Sequence, residues 1–144
     1  MEKKYLDLAQ AVPPEKYGWR PAEGVRSVSE VYMHVASGNF FIPRAAGVEP
    51  PAGLDRGMEK IAGKAKVLEL LKQSFEHVRQ AALKTPGTDL DKPVKLFGRE
   101  ASVRDVFFTL ALHQHEHLGQ SIAYARMNGI VPPWTAARQT RQGQ

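Results

Sequence analysis

Apolar residues recur at helical spacing in this chain, and turn residues separate the stretches. The clearest run lies over 64–84, where Val67, Leu70, Leu71, Ser74, Phe75, Val78, Ala81 and Ala82 follow i, i+3, i+4, i+7 spacing until Thr85-Pro86-Gly87 closes it. Ser27 and Glu30 form a capping-box pair ahead of a second apolar run, which extends to about Ala45 or Ala46 with Pro43 as a kink or early stop. Ser102 and Asp105 offer a similar start for the longest run, 103–127, which meets no stop signal before Asn128-Gly129. A short apolar stretch over 4–10, with Tyr5, Leu6 and Leu8, predicts a first helix that must end before Pro13-Pro14. Residues 15–24 read as a loop with an aromatic plug at Trp19. Residues 89–100 read as a second loop, in which Lys95-Leu96-Phe97-Gly98 makes a turn or short strand. Four helical segments with no demand for a sheet predict an all-α, four-helix bundle.

Composition narrows the class. The 144 residues include 42% apolar and 24% charged side chains and form one domain, residues 1–144, by size. No stretch is long and apolar enough for a membrane span, and the opening Met1-Glu2-Lys3-Lys4-Tyr5 does not lead into a secretory h-region, so a soluble cytoplasmic protein is expected. There is no cysteine, which excludes a protein thiolate, a cysteine-based zinc knuckle and a disulfide framework. Any thiol chemistry must use a thiol from outside. The net charge is +5, but the basic residues are dispersed among acids, and only the end of the chain, at about 135–144 with Arg138 and Arg141, is one-sided. That end is expected to be a flexible basic tail, and a nucleic-acid partner is not expected.

Three of the five histidines lie within His113-Gln114-His115-Glu116-His117. At about 100° per residue, His113 and His117 share a helix face, whereas His115 lies about 160° from either. The register is not H-E-x-x-H, because residue 114 is Gln. Val106, Leu110, Gln120 and Tyr124 fall on the face of His113 and His117, so that stripe should point inward. On the second helix, His34 shares a face with Val31, Gly38, Phe41 and Ala45, and Gly38 leaves room beside the imidazole. Buried imidazoles need partners, and three of them on two facing helices match a His₃ site for a divalent metal, zinc or nickel first, with positions open to water or substrate. The predicted metal ligands are therefore His34, His113 and His117. Gln120, Glu30 and Glu116 are candidates to orient them or to act as a base. Phe108, Leu112, His115 and Ile122 read as core or as the surface of a homodimer, and His77 as a residue at the boundary of the third helix's apolar stripe.

The pieces Glu15-Lys16-Tyr17-Gly18-Trp19-Arg20-Pro21-Ala22, Ser27 to His34, His113 to Gln120 and Arg126 to Pro133 resemble the DinB/YfiT-like family of metal-dependent four-helix-bundle proteins. The resemblance implies a divalent metal held by one histidine of the second helix and an H-x-x-x-H pair of the fourth, which map onto His34, His113 and His117. It also implies a reaction class, since characterised relatives include transferases and isomerases that use low-molecular-weight thiols. A small-molecule substrate and a homodimer are the expected partners. The alternative is a non-catalytic homodimeric bundle serving as an interaction or metal-binding module. The chain departs from the family pattern at Leu118, where many members have arginine, and in its short first helix.

Overall fold

The computed structural model describes residues 1–142. Helices α1 (Glu2–Ala11), α2 (Val28–Phe41), α3 (Lys64–Lys84) and α4 (Val103–Met127) form an all-α bundle. A hairpin of β1 (Pro93–Leu96) and β2 (Arg99–Ser102) sits between α3 and α4, and α5 (Pro133–Gln142) follows the bundle. No helix among the described residues is long and apolar enough to cross a membrane.

The caps act where the sequence places them. The Ser27 hydroxyl accepts from the Glu30 backbone N–H while the Glu30 carboxylate accepts from the Ser27 N–H, and Ser102 and Asp105 repeat the exchange on α4. α2 does not continue to residue 46 as one α-helix. Pro43 cannot supply the N–H that the ladder needs, so the chain tightens into a 3₁₀ turn over Ile42–Ala46 and stops at Gly47, whose φ of 80° suits glycine.

The main core is aromatic. Tyr5, Tyr17, Tyr32, Phe40 and Phe75 pack with Leu71, Met33 and Val35, and the buried hydroxyls find partners, as Tyr5 donates to the Gln114 carbonyl at 2.6 Å and Tyr17 to the Ala9 carbonyl at 2.8 Å. A smaller core of Ile42, Leu96, Val106 and Leu110 holds the hairpin against the 3₁₀ turn after α2 and against α4. Between α2, α3 and α4 runs a buried polar chain. Gln114 Nε2 donates to Asn39 Oδ1 at 2.9 Å, Asn39 Nδ2 to Ser74 Oγ at 3.1 Å, and Ser74 Oγ to the Leu71 carbonyl at 2.8 Å. Ser74, which the periodicity places on the inward face of α3, is there as a relay of hydrogen bonds rather than as an apolar filler.

Two features differ from expectation. The first helix gains two residues at its start, and the basic end forms α5 over Pro133–Gln142 instead of a frayed tail. Pro132-Pro133 sets the helix start, and Trp134 joins the main core with Lys4 of α1 over its ring. Residues 143–144 of the expected tail lie outside the described residues. The outward side of α4 exposes Phe108, Leu112 and His115, so within the chain only Ile122 of that group reaches the core.

Candidate metal centre

The two histidine-bearing helices cross so that His34, His113 and His117 converge. One ring nitrogen from each lies within 4.8 Å of the others, and the ring centroids stand 4.6 to 5.0 Å apart. Convergence depends on Gly38. A Cβ at that position would meet Cε1 of His113 at 2.5 Å, so the space that the sequence reserves on α2 is filled by an imidazole from α4.

Two of the rings are held from behind. Nδ1 of His34 lies 3.1 Å from Oε1 of Glu59, and Nδ1 of His117 lies 2.8 Å from Oε1 of Gln120. A carboxylate or amide oxygen only accepts, so each Nδ1 is the donor, and in the neutral ring Nε2 is left as the ligand atom. Gln120 is itself fixed by donating to the Tyr124 hydroxyl at 3.1 Å. Nε2 of His113 approaches Nε2 of His34 at 3.2 Å, while its Nδ1 is buried without a partner. Burial, followed by its neighbours His117 and His34, pushes the His113 pKa down from 6.5 to about 4. Burial also lowers that of His34, against the opposing hydrogen bond that its Nδ1 donates to Glu59. Neutral imidazoles are what a divalent cation requires, and three ring nitrogens within 4.8 Å of one another make a donor set of that kind.

Glu59 is the participant that the sequence does not disclose. It stands in the 3₁₀ turn Arg56–Lys60, where no periodicity marks a facing residue, and its other oxygen is 3.6 Å from Arg26. Among the other candidates, Glu30 is committed to the Ser27 cap and to Arg20 at 3.2 Å, and Glu116 is exposed. His115 is exposed and bonds back to the Ala111 carbonyl. His77, on α3, faces Phe40 of α2 and is not part of the cluster. Leu118, where the chain departs from the family pattern, is buried in the main core, and it is Arg26 that brings positive charge to the cluster through Glu59.

The cluster opens into a cleft of about 260 Å³ lined by Ser37, Phe41, Ile42, Glu59 and Phe97 besides His34 and His113. The family model of the DinB superfamily matches residues 1–121. This chain belongs to the DinB superfamily. Its fold is similar to that of a DinB-like protein from Bacillus cereus, at a TM-score of 0.80 and 17% identity over 92% of this chain and 88% of that one. It is also similar to the DinB-like protein YjoA of Bacillus subtilis, at 0.72 and 20% over 90% and 87%. No curated protein matches the sequence. In this DinB-like chain the three histidines are close enough to hold a metal ion together.

Proposed function

We propose that this DinB-like protein is a metal-dependent enzyme in which His34, His113 and His117 hold one divalent cation, zinc or nickel, for transfer or hydrolysis at a small electrophile. The reading rests on the convergence of three imidazoles, two of them fixed through Nδ1, beside a cleft that His34 and His113 line. A cation bound there would lower the pKa of a thiol or water and supply a nucleophile at neutral pH. The absence of cysteine makes an external low-molecular-weight thiol the natural co-substrate.

The chain's own groups have separate tasks. Glu59 keeps the proton of His34 on Nδ1 and adds negative charge behind the ring, which raises its strength as a ligand. Gln120, steadied by Tyr124, does the same for His117 without charge. Phe41 and Ile42 give the cleft apolar lining that limits water, and Ser37 adds a hydroxyl to it. We include a homodimer in the proposal. Phe108 and Leu112, 62% and 54% exposed and one turn apart on α4, present an apolar stripe that a second copy would cover.

Native mass spectrometry with elemental analysis of untagged protein tests the reading. One zinc or nickel per chain is expected in the wild type and in His115→Ala, and none in His113→Ala or His117→Ala. Turnover with a panel of thiols and electrophiles then separates the enzyme from a binding module. Metal retained by the His113→Ala and His117→Ala proteins would refute the assignment.

A further inference from the structure

The hairpin tip carries a residue that the fold does not need. β1 and β2 pair with Leu96 opposite Arg99, which leaves Phe97 and Gly98 as a two-residue turn with φ of 50° and 79°. Positive φ at both positions favours Asn-Gly or Asp-Gly, because a bulky side chain is disfavoured in the left-handed region. Phe97 is nevertheless there, and burial does not compensate, since the residue is 73% exposed. What the ring does have is a position. Phe97 lines the cleft together with His34, His113, Phe41 and Ile42, and Leu96 beside it is anchored in the smaller core, so the tip is held over the cleft.

We propose that Phe97 is a specificity-determining residue whose ring forms the outer wall of the histidine cleft and selects substrates or co-substrates that carry an apolar, preferably aromatic, group next to their metal-binding end. The proposal rests on the metal reading above. The cleft offers both kinds of contact, polar from His34, His113, Glu59 and Ser37 and apolar from Phe41, Ile42 and Phe97. A molecule spanning both would place its donor atom toward the histidines and its apolar group between Phe97 and Phe41. An exposed aromatic in a disfavoured conformation is then explained by the ligand it meets.

The test uses two probes with one metal-binding headgroup, acetohydroxamate and benzohydroxamate, titrated calorimetrically into zinc-loaded protein after zinc stoichiometry has been measured. The wild type should bind benzohydroxamate roughly five- to tenfold more tightly, the scale of one aromatic contact. Phe97→Asn installs the side chain that the turn prefers, so it should fold at least as stably, take up the same zinc and bind acetohydroxamate unchanged, while the preference for the phenyl probe collapses toward unity. Phe97→Tyr should retain the preference. An unchanged ratio in Phe97→Asn, or no preference in the wild type, overturns the role of Phe97 and leaves the metal centre standing. Failure of the wild type to take up zinc overturns both, and that result is read before any probe is added.

Discussion

Replacing Gly38 by alanine sets helix stability against metal binding. A new Cβ would lie 2.5 Å from Cε1 and 2.9 Å from Nδ1 of His113, whereas ordinary contact begins at 3.4 Å. The ring must therefore withdraw by the difference between 3.4 and 2.5 Å, about 0.9 Å. Metal–nitrogen bonds near 2.0–2.1 Å tolerate about 0.2 Å, so the displacement removes His113 from the donor set. Loss of a direct ligand should weaken zinc by at least about 100-fold, or about 2.8 kcal/mol, since even an outer partner is worth 10- to 100-fold. Alanine in a helix interior, by contrast, gains about 1 kcal/mol over glycine. The half-buried His113 ring has the cleft to move into, so metal-free Gly38→Ala should unfold in denaturant no earlier than the wild type. Competition with a chromophoric chelator measures zinc affinity, and urea denaturation monitored by circular dichroism measures stability. Wild-type zinc affinity in Gly38→Ala would refute the claim that the glycine exists to admit His113.

Glu59→Gln keeps an acceptor for His34 but removes the charge and leaves Arg26 unpaired beside a cation site, so zinc affinity should fall about 10- to 100-fold in the same competition assay while circular dichroism is unchanged. Asn39→Ala breaks the buried polar chain and leaves the Gln114 amide N–H without its acceptor, which should cost about 1–3 kcal/mol in urea unfolding. The metal-free protein should also be sensitive to acid. The native His113 pKa, about 4, lies below the ordinary 6.5, so the unfolded chain takes up a proton that the folded chain refuses, and stability is retained above pH 6.5 and falls as the pH drops toward 4. His34 is shifted in the same direction. Thermal unfolding of chelator-treated protein across that range checks the sign, and saturation with zinc should raise the melting temperature at pH 7.

The helices and the three histidines were legible because both express the 3.6-residue period. His113 and His117 are one turn apart among Val106, Leu110 and Tyr124, and two capping boxes mark where α2 and α4 begin. Glu59 was not legible, because it enters from a 3₁₀ turn whose place beside His34 is decided by tertiary packing. Gln114 was hidden by its neighbours, since its buried bond to Asn39 joins residues 75 apart in sequence. The hairpin was read only as a turn or short strand, because Phe97 is a poor indicator of the turn it occupies. α5 was not legible because it is short and mostly polar, with Trp134 as its one large apolar side chain.

The hydrogen bonds from Gln114 through Asn39 to Ser74 begin one residue along from His113 and Gly38. Greasy contacts alone allow a rod to roll or slide with little penalty, but a donor aimed at one acceptor does not. The bonded trio thus works as an alignment pin that sets the azimuth of α4 against α2. Variation at the rim of the cleft can retune which molecules enter without disturbing where the imidazoles meet, and an engineer grafting new chemistry onto this scaffold should leave the pin in place.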